Sequence, residues 1–258
     1  MSAILVTNDD GVHSHGINLL YKALQAISDV YIVAPDRERS ASGHSLTLHK
    51  PLKVQKIGDK IYSVNGTPTD CVAVGVEKIL PERPSLIVSG INHGQNLGDD
   101  ITYSGTVSAA MEGTILNIPS FAVSLVMPGD TGNNKPHFET AAEIAVWVAS
   151  RIIEKALPYD TFLNVNIPDR ALDEIAGIKF TRQGKRVYDG AIQETYSPWG
   201  EKFFWIGGGR PFWEHGEDTD ISAVLEGYVS VTPVHLDLTN HGAIDFLRKS
   251  WEQWNTRR

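Results

Sequence analysis

The chain has 258 residues, with 23 Lys plus Arg against 31 Asp plus Glu, a net charge of −8. That balance argues against a duplex nucleic-acid binder, which needs a basic face against phosphate, whereas a small phosphorylated substrate needs only local positive charge. One cysteine, Cys71, excludes an internal disulfide framework and a cysteine zinc cluster, and no apolar run reaches the roughly 18–20 residues of a membrane span.

Ile4-Leu5-Val6 predicts a buried strand ending in the turn Asn8-Asp9-Asp10-Gly11. Ile17, Leu20, Leu24 and Ile27 have helical spacing, and Val30–Val33 is the next strand, stopped by Pro35-Asp36. Val54–Val64 reads as a hairpin around Gly58-Asp59. Pro68–Leu80 reads as a helix, with Thr67 as N-cap and Pro68 in its first position. Leu86–Val88 is a strand ending at Ser89-Gly90, Thr106–Leu116 a helix, Ser120–Leu125 a strand, Phe138–Ile153 a helix and Phe162–Ile167 a strand. Continuous apolar strands alternating with helices imply a mostly parallel sheet covered on both faces. The expected fold is an α/β, Rossmann-like three-layer core over residues 1–168. After Pro168 the runs shorten, with glycines, prolines and acids between them. Residues 169–258 are expected to form an extension: strands and hairpins over 178–235, loops at Gly207–Gly209 and Glu214–Asp220, and a terminal helix from about Gly242 to Trp254. Trp199, Phe203, Phe204, Trp205, Phe212 and Trp213 concentrate there. An isolated hairpin cannot bury so many aromatics against itself; they either pack on this chain's own core or, as expected, form an arm that packs on a second subunit. The start, Met1–Asp10, has no basic segment and meets acid early, unlike a signal peptide, and a cytoplasmic protein is expected.

Open parallel sheets bind ligands beyond the carboxyl ends of their strands. Three polar loops should meet there: Asn8–Gly11, Asp36–Ser45 and Gly90–Asp100. Adjacent carboxylates at Asp9 and Asp10 repel unless a cation or a shared proton relieves them. Mg²⁺, Mn²⁺ and Ca²⁺ favour oxygen ligands, and Asn92 offers an amide oxygen, Ser40 or Ser42 a hydroxyl. The competing reading of Asp9-Asp10-Gly11 is a plain turn. Tyr103-Ser104-Gly105-Thr106 opens a helix, whose free N–H groups suit a phosphate, although Ser or Thr there is more commonly an ordinary cap. Candidate substrate-binding residues are Asn96, Ser104, Gly105 and Thr106. Arg37, Arg39 and Lys50 either steer anions or are solvated. P-loop, dinucleotide-loop, nucleophile-elbow and His-Glu-x-x-His patterns are absent from the sequence.

Ile-Leu-Val-Thr-Asn-Asp-Asp-Gly (4–11), Ala-Pro-Asp-Arg-Glu-Arg-Ser-Ala-Ser-Gly (34–43), Gly-Thr-Pro-Thr-Asp-Cys-Val (66–72), Val-Ser-Gly-Ile-Asn-His-Gly-Gln-Asn-Leu-Gly-Asp-Asp (88–100) and Tyr-Ser-Gly-Thr-Val-Ser-Ala-Ala-Met-Glu-Gly (103–113) occur in order. Together they resemble the SurE family of metal-dependent acid phosphatases and nucleotidases. The resemblance implies one divalent metal ion per subunit, held by Asp9, Asp10, Ser40 and Asn92, and it selects Ser40 over Ser42. It implies hydrolysis of nucleoside 5′- and 3′-monophosphates, with short polyphosphate as a further substrate of some relatives, and a homodimer or homotetramer with exchanged C-terminal segments. Asp9, Asp10 and Asn92 are the expected catalytic residues. Direct attack by water is favoured over an aspartyl-phosphate on Asp9. The alternative is a non-catalytic nucleotide-binding stress protein on the same fold. Base preference, preferred metal and the leaving-group acid are not legible in the sequence.

Overall fold

A computed structural model describes residues 3–127, 135–187, 192–206, 212–214 and 216–251. A nine-stranded sheet organises them. Near its middle lies β1 (Ile4–Thr7), flanked by parallel β2 (Val30–Pro35) and parallel β5 (Leu86–His93). Outward from β2 lie β4 (Ile61–Val64) and β3 (Val54–Gly58), the predicted hairpin. Outward from β5 lie β6 (Ser120–Val126) and β7 (Thr161–Pro168), both parallel. The chain after Pro168 returns to this sheet: β13 (Val229–His235) runs antiparallel to β7, and β8 (Ile178–Phe180) closes the edge.

Strand alternation sorts the core into two layers. Ile4 and Val6 of β1 pack with α1 (His15–Leu24) and α4 (Phe138–Lys155), while Leu5 packs with α2 (Pro68–Val74) and Leu5's neighbour strand residue Ile87 with Ala109 of α3 (Gly105–Ile115). Gly16 is required where α1 crosses β5, since a Cβ there would lie 2.1 Å from the Ile91 carbonyl oxygen. At α2 the Thr67 hydroxyl accepts from Asp70 N–H and the Asp70 carboxylate accepts from Thr67 N–H, a reciprocal cap that fixes the helix start. The predicted helix continues as a π-helical turn over Gly75–Ile79.

Two elements depart from the sequence reading. β5 does not stop at Ser89-Gly90; it runs to His93 through a bulge, with Ser89 opposite Ala122 and Asn92 opposite Ser124. Gly90 permits this, because a Cβ there would sit 2.3 Å from the Val123 carbonyl oxygen. The segment read as a loop from Glu214 to Asp220 differs at both ends: Glu214 belongs to a strand, and Asp220 begins a short helix, α5 (Asp220–Leu225), capped by the Thr219 hydroxyl. In the extension, β9 (Lys185–Val187) pairs with β12 (Phe212–Glu214), and β10 (Ile192–Tyr196) forms an antiparallel hairpin with β11 (Lys202–Ile206). The terminal helix is α6 (His241–Ser250). The loop read at Gly207–Gly209 and the end of the terminal helix lie outside the described residues.

Candidate active site

β1 passes from β2 on one side to β5 on the other, so the direction of chain winding reverses beside it. Such a reversal leaves a crevice at the strands' carboxyl ends. A cavity of about 670 Å³ opens there, lined by Asp9, Asp10, Ser40, Asn92, Asn96 and Ser104 among others. The three polar loops predicted to converge do so.

Asp9 is 5% exposed. Thr106 donates its hydroxyl to Asp9 Oδ1 in a short hydrogen bond. Gly105 lies so close that a Cβ would come 2.9 Å from Asp9 Cβ and 2.9 Å from Ser42 Oγ. The α3 start therefore grips the carboxylate: Thr106 is fully buried and serves Asp9, while Ser104 lines the cavity and caps the helix by accepting from Val107 N–H at 3.1 Å. Burial raises Asp9 to about 6, and the Asp10 carboxylate adds to the rise against the pull of Thr106. Asp10 is raised too, by burial, opposed by the His93 N–H that it accepts at 3.2 Å.

Asn92 is placed by the β5 bulge, which re-aims a side chain at a strand end. Its amide nitrogen donates to the Gly94 carbonyl at 2.9 Å, which leaves the amide oxygen as a donor atom for a cation. Ser40 sits on a loop tied down at both ends: Arg39 N–H donates to the Asp9 carbonyl at 2.7 Å and Gly43 N–H to the Tyr103 carbonyl at 3.2 Å. Further along, His44 Nε2 meets the buried Glu112 carboxylate of α3 at 2.8 Å. The Ser40 hydroxyl itself donates to Glu38 at 2.7 Å. Arg39 turns away, toward Asp36 and the Asn65 carbonyl, and neither it nor Arg37 lines the cavity.

Asn96 is buried, its amide donating to Ser124 Oγ at 2.8 Å and its N–H to Asn166 Oδ1 at 2.9 Å. Two carboxylates, an amide oxygen and a hydroxyl make a hard-oxygen donor set, suited to Mg²⁺ or Mn²⁺ rather than to a soft metal. Among the described residues no three histidines, cysteines or acids converge as an alternative metal centre. The Asp9 and Asp10 carboxylates, both pushed up chiefly by burial and with Asp10 adding to the rise of Asp9, fit a cation on electrostatic grounds.

Sequence reasoning missed several residues of the wall. Arg186 of β9 arrives from the extension and pairs with Asp100, while its N–H donates to Asp99 at 3.1 Å. Asp220 pins this junction by accepting from Gly98 N–H and Gly184 N–H, each at 2.8 Å. Phe138 completes the wall beside His15 and His93, two histidines in or beside the site loops. No local pattern announces these contacts; they depend on how the extension and α4 return to the sheet.

The family described as Survival protein SurE matches residues 4–190. The chain belongs to the SurE family. It is similar to the protein named 5′-nucleotidase SurE in Geobacter sulfurreducens, at 52% identity over 96% of this chain and 93% of that one. The protein of the same name in Pelobacter propionicus is 52% identical over 93% of this chain and 96% of its own length. The crystal structure of the Sure protein from Aquifex aeolicus superposes with a TM-score of 0.85 at 48% identity, covering 96% of this chain and 98% of that one.

Proposed function

We propose that this SurE-family chain is a divalent-metal-dependent phosphomonoesterase that hydrolyses nucleoside 5′-monophosphates to nucleoside and phosphate. One observation carries the reading. The Asp9–Asp10 pair meets Asn92 and Ser40 on the wall of a cavity at the point where the sheet reverses, in a chain half identical to proteins named 5′-nucleotidase. Nucleoside 3′-monophosphates and short polyphosphate extend the proposed substrate range.

Asp9, Asp10, Ser40 and Asn92 would hold the metal, Mg²⁺ or Mn²⁺. When bound, such an ion supplies Lewis acidity and neutralises charge on the phosphoryl oxygens. The protein's own groups do the rest. Thr106 and the α3 start fix Asp9 so that no reorganisation is needed during reaction. Asp9 is enclosed and held by Thr106, which disfavours it as a nucleophile and supports attack by water. Asp10, which accepts from the His93 N–H, would orient that water and take its proton. Ser104 and Asn96 present polar groups to the phosphate from the cavity wall. We further propose that the enzyme is a homodimer or homotetramer. A cytoplasmic location is supported by the single, buried, free cysteine; no described helix is long and apolar enough to cross a membrane.

The test is phosphate release from adenosine 5′-monophosphate after chelation and re-addition of Mn²⁺ or Mg²⁺. Turnover that vanishes with chelator and returns with metal is the expected result. Tight nucleotide binding without phosphate release would instead favour a non-catalytic binder.

A further inference from the structure

Three rings meet on the cavity wall beside the carboxylates. Phe138 opens α4 and is buried. The His93 ring lies over Phe138, with 6.0 Å between centroids and 23° between planes. The His15 ring meets the same phenyl edge-on, at 5.3 Å and 89°. All three line the cavity together with Asp10. His93 itself is exposed, and it follows Asn92 directly on β5. It is thus a flat ring with a fixed backing, one residue from a proposed metal ligand. The phosphoryl-transfer chemistry described above uses carboxylates, hydroxyls and an amide, and needs none of these rings. The cavity, at about 670 Å³, falls in the roughly 300–1,000 Å³ range that takes a drug-sized molecule, far more than a phosphate group fills.

We propose that His93, seated on Phe138, whose ring His15 meets edge-on, is the platform on which the substrate's nucleobase stacks. The proposal rests on the nucleotidase reading of the site and adds its specificity determinant. An aromatic face takes any base through its π-surface, so such a platform distinguishes a nucleotide from a sugar phosphate without choosing one base. Its strength grows with the area of the stacked face, so purine nucleotides should be handled better than pyrimidine ones.

The experiment compares adenosine 5′-monophosphate with ribose 5-phosphate at saturating Mn²⁺, in the wild type, His93→Ala and His93→Phe. His93→Ala keeps the backbone N–H that Asp10 accepts and changes an exposed side chain, so the fold is preserved. The wild type should prefer the nucleotide in kcat/KM by about tenfold or more, the scale of one base–aromatic contact. His93→Ala should lose most of that preference through KM, and His93→Phe, which restores a flat face, should retain it. Adenosine, which carries no phosphate, should compete with substrate in the wild type and about tenfold more weakly in His93→Ala. A preference unchanged in His93→Ala, or lost equally in His93→Phe, overturns the platform. A wild type that releases phosphate from neither substrate overturns the nucleotidase reading, and the platform falls with it.

Discussion

The carboxylate of Asp9 is gripped by Thr106, faced by Gly105 and crowded by Asp10, and its proton affinity rises to about 6. An acid that binds its proton more tightly folded than unfolded costs stability once ionised. The metal-free fold therefore loses stability as pH rises from the ordinary 3.8 through about 6, and does not regain it above. Asp9→Asn removes that cost and keeps an acceptor for Thr106. In chelator at pH 7 it should melt higher than the wild type, by about 1–3 kcal/mol, with the two curves converging near pH 4. The same variant should lose activity by about 10²-fold or more. Melting curves in chelator and phosphate release at limiting metal check both halves; full activity would remove Asp9 from the metal site. Asn92 and Ser40 are neutral donors and should tune the site rather than create it. Asn92→Ala and Ser40→Ala should each raise the metal concentration for half activity about tenfold, equivalent to about 1.4 kcal/mol of binding. Titration curves overlaying the wild type would mean that these loops supply no ligand.

Among the elements, the junction between the Gly98–Thr102 turn, β9 and α5 is held by several side chains, of which Asp220 makes the most backbone contacts. Asp220 is fully buried and accepts from the backbone N–H of Gly98, Gly184 and Ile221. Burial raises its proton affinity against those three bonds. Asp220→Ala would orphan three N–H groups, each costing about 1–3 kcal/mol when buried unpaired. A loss of about 3 kcal/mol or more is expected by denaturant melts, with faster amide exchange at Gly98 and Gly184. Unchanged stability would show that water replaces the carboxylate freely. This junction also marks the limit of what the sequence disclosed. The central strands, the α2 cap and the three site loops were legible because each is written in a contiguous run: an apolar triplet, a Thr-Pro start, a polar turn. β5 was read short because Ser89-Gly90 signals a turn locally, while the neighbouring strand β6 lets it continue as a bulge. α5 has six residues behind an acidic loop, too short for a period to show. Thr106 carried a phosphate-site signal, yet its hydroxyl is spent on Asp9, ninety-seven positions away in sequence. Arg186 reaches the cavity beside Asp99 and Asp100, with contacts to both that no local spacing encodes.

For the molecule as a whole, the β10–β11 hairpin leaves its aromatics largely open to solvent: Trp199 is 87% exposed, and Phe203, Phe204 and Trp205 are also exposed, with Lys202 lying over the Tyr196 and Phe204 rings. Phe246 and Trp251 at the terminal helix are exposed as well. Surfaces of this kind mark association sites, and a self-complementary patch closes as a symmetric dimer. Sedimentation at micromolar concentration should give a dimer or tetramer of the 28.3 kDa chain, and replacing residues 192–206 by a short Gly-Ser link should dissociate it. A wild-type monomer would assign the aromatics another partner. All catalytic candidates hang from one rim of the sheet, and the strands beneath them are four to eight residues long in β1 and β5, at roughly 3.3 Å per residue. The far rim, where Pro81-Glu82-Arg83 lies exposed ahead of β5, is thus a free port in the architecture. A reporter domain spliced between Glu82 and Arg83 should ride on a working enzyme, whereas the same cargo between Gly94 and Gln95 should silence it.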